Sequence, residues 1–480
     1  MAWLSPAGHA DHLDRVARSR TAGTGNWLLR DPDFQAWESG AARPATLWIR
    51  GGPGVGKTVL AGNIIEYLQE RHTHPEGVVG FYFCDQLRGN QDDDVAVFGS
   101  LIAQICVQLE NLPSQLVQAF ENAQRYERYQ ITTSDAPANL LKSLVAELTS
   151  YFLVIDALDE LKQGFTILDF INEFSSNLLN VHYILFSRDK LNLRNALAHC
   201  ATVSLNSERT IADIETFVLN TAQKLPVDDS VLKENVIQKV LDRSGGVFLW
   251  TRLVMNTLSH AVSPAHLLNL IEEVPESISA IYRKHLVCLL QKDLYAQDLA
   301  IRVLRWVGCA KRPLSWAELQ CAVSRCMALE EGDVSYHMPF WKSVVELLYP
   351  LVIYDYERDE FCFQHLSVRD FLIQLANPCL SPEGVGKFFI DEHEAAEELA
   401  SACLAHLMSD RVHDPLALYA NRFWCEHALE APYSMELLQK IYKFLSDNMR
   451  RQVWLSSTLR TDRPGFLLQT IIQQQNKLRS

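Results

Sequence analysis

The chain has 480 residues, enough for roughly three folded cores at about 150 residues per domain, and its 48% hydrophobic, 10% aromatic and 21% charged composition is that of a globular protein rather than a disordered or fibrous one. A net charge of -14 with a pI near 5.5 argues against a general nucleic-acid binder, whose phosphate contacts need clustered Lys and Arg. The eleven cysteines are scattered without a CxxC pair, the opening MAWLSPAGHADHLDR carries no apolar leader, and no uncharged apolar run approaches the ~20 residues of a membrane span, so reduced thiols and a cytoplasmic location are expected.

No internal repeat or heptad array organises the chain, and the pattern of elements divides it into five regions. Residues 1–44 are a polar lead-in with short helices, in which Arg15, Arg18 and Arg20 precede GTGNWLL and a Pro-Asp-rich turn. From 45 to 205, apolar runs of strand length (ATLWIR, VVGFYFC, YFLVI, HYILF and ATVSL) alternate with helical patterns. Runs buried on both faces with helices between them predict an α/β domain with a parallel, helix-covered sheet. Residues 206–290 are helical in period, including DIETFVLNTAQKL and GGVFLWTRLVMNTL, and read as a helical lid. From 291 to 376 come three amphipathic helices, then LVIYDY and FCFQHL around the polar turn Glu357 to Glu360, then a short helix from Ser367, a pattern that predicts a winged helix. A helical C-terminal segment, 377–480, ends in QTIIQQQNKLRS, read as an exposed terminus.

Three segments carry chemistry. GGPGVGKT satisfies GxxxxGK[ST] and lies between the strand ATLWIR and the helix TVLAGNIIEYLQERH. In that setting Gly51, Gly52, Pro53, Gly54, Val55, Gly56, Lys57, Thr58 and Val59 predict a P-loop. The glycines turn backbone N–H groups toward phosphate oxygens, Lys57 neutralises the β/γ oxygens, the Thr58 hydroxyl ligates Mg²⁺, and the helix start faces the phosphates with its positive end. In YFLVIDALDEL a buried strand ends in carboxylates, which are costly there unless paired or metal-bound. Asp156 is placed to hold Mg²⁺ as a Walker B aspartate does. Asp159 and Glu160 are both candidates to orient or deprotonate the attacking water, and spacing leaves the choice between them open. The third segment, HYILFSRDK, is a strand ending in Ser187 and Arg188. Inserted between the P-loop strand and the Walker B strand, it would present either residue to a γ-phosphate; the alternative for Arg188 is a surface ion pair with Asp189 or Glu160.

LWIRGGPGVGKTVLAGNIIEYL, LVIDALDE with a small residue after the metal aspartate, and LFSRDK together resemble the NACHT clade of signal-transducing P-loop NTPases. The nephrocystin-like N-terminal type of fungal proteins is the nearer likeness. It runs from about residue 3 to about 375, through WLSP, GTGNWLL, GGVFLWTRLVMNTL, VPESISAIYRKHL and RPLSWAELQCAV, with YANRFWCEH fainter beyond. The stretch from Leu299 to Leu375 resembles the winged-helix module of GPI inositol-deacylase-like proteins. Within it FQHLSVRDFL matches a family segment whose histidine approaches the β-phosphate of ADP, so the resemblance implies that His365 senses the diphosphate; a helix-capping or core histidine is the structural alternative.

The resemblance implies a switch. ADP would clamp the winged helix against the NTPase sheet, ATP would release it and let the core self-associate and engage a protein effector, and slow hydrolysis would reset it, in non-self recognition of the fungal innate-immunity kind or in programmed cell death. Such a switch needs nucleotide contacts that differ between its states. The implied cofactors are ATP/ADP and Mg²⁺; GGVF stands where related switches place Gly-x-Pro at the base, so GTP remains open. The family usually adds an effector domain before this core and a repeat array after it, and this chain shows neither. The competing expectation is an interaction scaffold stapled by nucleotide without turnover. Nucleic acid is not an expected partner.

Overall fold

The five strand-length runs each form a strand in the computed structural model: β1 (Thr46–Gly51), β2 (Val78–Phe83), β3 (Tyr151–Asp156), β4 (Val181–Ser187) and β5 (Ala201–Leu205). They pair in the order β2-β3-β4-β1-β5, every pairing parallel. The described residues are 9–41, 45–73, 75–84, 94–109, 111, 113–125, 135–161, 171, 180–328, 340–374, 384–409, 415–432 and 434–458, and the segment QTIIQQQNKLRS lies outside them. The chain divides into two units, Met1–Glu276 and Ser277–Ser480.

In the first unit successive strand residues leave opposite faces of the sheet, and both faces are apolar. Leu47, Ile49, Val154 and Ile184 face α1 (His9–Ser19), α2 (Pro32–Glu38) and α3 (Lys57–Arg71). Trp48, Leu153, Ile155 and Leu185 face α4 (Asp94–Gln108), α5 (Ser114–Arg125) and α6 (Asp135–Ala146). At about 1.5–3 kcal/mol for each fully buried large side chain, this double layer supplies most of what holds the sheet. The lead-in belongs to that core, because Leu28, Phe34 and Trp37 are all 0% exposed. Trp37 also donates its indole N–H to the Ala45 carbonyl at 3.2 Å, and α2 starts on the Asp31 side chain, which accepts from the Asp33 N–H, with Pro32 in its first turn.

The edge strand β2 would otherwise offer free backbone groups to another chain. Gln104 and Gln108, four residues apart on α4, cover it. Each side-chain amide accepts from and donates to one residue of β2: Gln104 pairs with Phe81 at 2.9 Å both ways, and Gln108 with Val79 at 3.0 and 2.7 Å.

After the sheet come the helices Ser207–Ala222, Ser230–Ser244, Phe248–Ser259 and Pro264–Glu272; Asn206, Asp229 and Ser263 cap the first, second and fourth. The helix Ile278–Leu290, counted from the sequence with the lid, lies in the second unit. That unit continues with the helices Leu294–Cys309, Trp316–Ala328 and Trp341–Leu348, the antiparallel hairpin of β6 (Val352–Asp355) and β7 (Glu360–Phe363), and the helix Leu366–Gln374. Leu314, between the second and third of its helices, bridges to Phe361 and adds a one-residue third strand to the hairpin. Helices Glu392–Leu407, Ala417–Glu430, Met435–Ser446 and Asn448–Thr458 follow, the last three joined by Trp424, Phe444 and Trp454. Among the described residues no helix is long and apolar enough to cross a membrane.

Candidate functional site

The carboxyl ends of β1, β3 and β4 meet at one edge of the sheet, the side on which open α/β sheets bind ligands. At the end of β1 the chain turns through Gly52, Pro53, Gly54 and Val55 and enters α3 at Lys57. Gly54 (φ 75°) and Gly56 (φ 94°) supply the left-handed backbone that an L side chain resists. Gly51 is required by packing instead, since a Cβ there would lie 2.9 Å from both Leu205 Cβ and Val55 Cγ2. Lys57 Nζ donates to the Gly51 and Gly52 carbonyls at 2.9 and 2.8 Å. Burial lowers its pKa from the usual lysine value, while Asp156, Asp159 and Glu160 oppose that shift and Arg188 adds to it. Thr58 and Val59, half-buried, open the helix behind it.

Asp156 ends β3 and is 3% exposed. Burial pushes its carboxyl up to about 6, against hydrogen bonds from the Thr58 hydroxyl and the Ala157 N–H and the nearby Lys57 charge. Its buried Oδ1 has no hydrogen-bond partner among the described residues. A partnerless buried carboxylate oxygen beside the P-loop hydroxyl fits Mg²⁺, which takes one or two carboxylates and completes its shell with phosphates and water. Among the described residues no larger His/Cys/Asp/Glu cluster competes for a metal.

Ala157 follows at φ 54°, ψ 40°, a left-handed conformation that glycine adopts freely and a residue with a Cβ adopts at a cost of about 1–2 kcal/mol. It turns the chain into a short 3₁₀ segment, Leu158–Glu160, with Leu158 buried. The two acid candidates differ sharply in environment. The Asp159 side chain is 2% exposed; its Oδ1 accepts the Arg188 N–H at 2.9 Å, and its Oδ2 lies 3.6 Å from Arg188 Nε and 3.4 Å from Lys190 Nζ. Glu160 is partly exposed and close enough to act on the Lys57 charge.

β4 lies between β1 and β3, which brings Ser187 and Arg188 beside the P-loop strand. Ser187 is 0% exposed. Its Oγ accepts the Trp48 indole N–H at 2.8 Å and donates to the Arg188 carbonyl at 2.9 Å, so its one proton is used inside the fold. Arg188 pairs with Asp159, while Asp189 takes Arg194 and Arg50. His365 belongs to the second unit, where its Nδ1 accepts the Ser367 N–H at 3.1 Å and caps the helix Leu366–Gln374.

Several contacts around the loop were not legible beforehand. The Leu249 N–H, at the start of the helix Phe248–Ser259, donates to the Gly54 carbonyl at 3.0 Å, and Phe248 packs over Gly56. Gly246 (φ 80°) permits this approach, since a Cβ there would meet Ser207 Cα at 2.6 Å. Asp213 accepts the Gly25 N–H at 2.9 Å and the Trp27 indole N–H at 3.1 Å, and burial pushes its carboxyl above the usual range. Arg209 binds Asp31 at 2.6 Å and lies over the Trp27 ring, so the lead-in is clasped to the helix Ser207–Ala222. The paired glycines of GGVF and the GTG of the lead-in were the available signals, and both are too short to name a partner.

A glycine-turned loop ahead of a helix, a buried carboxylate on a strand end and a strand inserted between them define a P-loop NTPase. Comparisons with known proteins support a P-loop NTPase of the NACHT-like kind. Residues 23–188 match the family described as Nephrocystin 3, N-terminal. The chain is also 26% identical over 368 residues to vegetative incompatibility protein HET-E-1 of Podospora anserina, an alignment covering 73% of this chain and 26% of that protein, so the chain spans about a quarter of that relative's length. Looser likeness extends to solved structures. The Orc1 protein of Aeropyrum pernix in complex with DNA has TM-score 0.32 at 13% identity, over 76% of this chain and 91% of that one. AMPPCP-bound DnaA from Aquifex aeolicus has TM-score 0.30 at 13% identity, over 68% and 87%.

Proposed function

We propose that this chain binds ATP and ADP with Mg²⁺ in the cytoplasm and works as a slow NTPase switch whose nucleotide state governs its conformation, self-association and engagement of a protein effector. The observation that carries this reading is the buried, partnerless Oδ1 of Asp156 beside Thr58 and Lys57, a carboxylate whose burial is costly unless a cation shares it. Backbone N–H groups of residues 51–59 other than Pro53, with the Lys57 ammonium, hold the phosphates, and Thr58 with Asp156 holds the metal. Mg²⁺ bound there supplies positive charge against the phosphate oxygens. Glu160 accepts the proton of the attacking water, a role supported by its partial exposure against the burial of Asp159, whose side chain is 2% exposed with Oδ1 on the Arg188 N–H. Arg188 reports the γ-phosphate, since the Ser187 hydroxyl is already committed.

Residues 206–290 serve as the lid and 291–376 as a winged helix; the hairpin of β6 and β7 with the Leu314 bridge supports the latter. The name of the Podospora relative points to non-self recognition as the setting.

Nucleotide released from the purified protein identifies the ligand directly. Lys57→Ala should weaken its retention ~100-fold, about 3 kcal/mol of charge-assisted contact. Retention by Lys57→Ala equal to wild type defeats the reading. Equal single-turnover rates in wild type and Glu160→Gln leave a nucleotide-stapled scaffold in place of a switch.

A further inference from the structure

We propose that Asp159 is a positioning residue, a strut that fixes the Arg188 end of β4 against the acidic turn after β3, and that Glu160 alone serves as base. This rests on the reading of the site as an NTPase. The β3–β4 ladder runs from Tyr151↔Val181 only to Ile155↔Leu185, whereas the β1–β4 ladder continues to Arg50↔Ser187. Beyond Leu185, β4 therefore follows the P-loop strand and leaves β3, opening the crevice in which phosphate and metal would sit.

Asp159 spans that opening. Its Oδ1 holds the Arg188 N–H at 2.9 Å and its Oδ2 lies between Arg188 Nε and Lys190 Nζ. Lys190 Nζ returns to the Asp159 carbonyl at 2.8 Å, so the turn is held by main chain and side chain together. A general base needs a lone pair open to water; Asp159 is 2% exposed, with Oδ1 on an amide and Oδ2 buried between two cations at ion-pair distance without a hydrogen bond, so neither oxygen faces solvent water. What Asp159 does control is where Arg188 stands relative to the carboxylates, and misplacement on the scale of an ångström costs orders of magnitude in rate.

Two conservative variants separate strut from base. Asp159→Asn keeps an oxygen for the Arg188 amide but cannot take a proton; Asp159→Glu keeps the basicity but displaces that oxygen. A strut predicts single-turnover hydrolysis within ~5-fold of wild type for Asn and ~10- to 100-fold slower for Glu, with ADP affinity unchanged in both and preference for a non-hydrolysable ATP analogue over ADP reduced only in Glu. Hydrogen exchange at the Arg188 amide should stay slow in Asn and rise ~10-fold or more in Glu, with or without nucleotide. The reverse order of the two rates, or equal protection of that amide in Asp159→Glu and wild type, overturns the proposal. Wild type that binds no nucleotide sinks the NTPase reading instead, and the exchange measurement still decides the strut.

Discussion

Replacing Asp156 by Asn should make the nucleotide-free protein more stable while disabling the metal site proposed for it. Burial raises the Asp156 pKa from 3.8 to about 6. A shift of about two units corresponds to about 3 kcal/mol disfavouring the folded state at neutral pH. Because the folded pKa lies above the unfolded one, the folded chain holds the extra proton between roughly pH 4 and 6, and stability from this carboxyl is greatest in acid and falls as pH rises through about 6. Asparagine removes the charge but accepts more weakly from Thr58 and the Ala157 N–H, which returns about 1 kcal/mol or more of that gain. The net expectation is about 1–2 kcal/mol, or roughly 3–6 °C in the melting of the first unit at pH 7.5 with chelator. Below about pH 5 the gap should close, since the wild-type carboxyl is then protonated too. With Mg²⁺ and nucleotide at 100 times its dissociation constant the order should invert, wild type gaining about 2.7 kcal/mol by mass action and the variant much less. Thermal melts across pH 5–8, with and without Mg²⁺ and nucleotide, decide it. A variant less stable in chelator, a gap independent of pH, or equal gain from Mg²⁺ would refute the account of Asp156 as a strained metal carboxylate.

Other substitutions probe the backbone that positions the site. Ala157→Val should destabilise the first unit by about 2 kcal/mol in urea unfolding, because a β-branched residue at φ 54° is strained, whereas Ala157→Gly should cost nothing. Gly246→Ala should cost about 2 kcal/mol or more and weaken nucleotide retention, since its Cβ meets Ser207 Cα and displaces the loop that ties Leu249 to Gly54; nucleotide release by the purified variant reads this out. The second unit should respond to acid with the opposite sign. Burial lowers His285 to about 4 although its Nε2–H donates to the Leu347 carbonyl at 3.1 Å, so its contribution is present above pH 6.5 and lost as pH falls toward 4, by up to about 3 kcal/mol. Unfolding followed by a probe in residues 277–458 should lose that acid dependence in His285→Gln.

What could be read from the chain alone was local in origin. GGPGVGKT between a strand and a helix specifies a loop, because glycine φ angles, a lysine reach and a helix start are properties of neighbouring residues. Continuous apolar runs specify strands buried on both faces, and the run ending in Asp156 announces a carboxylate that needs a partner.

The lead-in shows where such reading stops. Leu28, Phe34 and Trp37 sit in a stretch too short and polar to show a period, yet all three are buried under the sheet. The division of labour among Asp159, Glu160, Ser187 and Arg188 was equally hidden. Positions three and four residues past Asp156 look equivalent along the chain; they became different only when β4 passed between β1 and β3 and set the Arg188 amide against one of them. The same holds for Trp48, whose indole takes the Ser187 hydroxyl from 139 residues away, and for Asp213, which clasps Gly25 across 188. Residue types and their immediate spacing determine which groups can bind phosphate or metal. Which of them keep a lone pair or a proton free is decided by partners distant along the chain, because a buried polar atom takes whatever donor or acceptor the packing of strands and helices delivers to it.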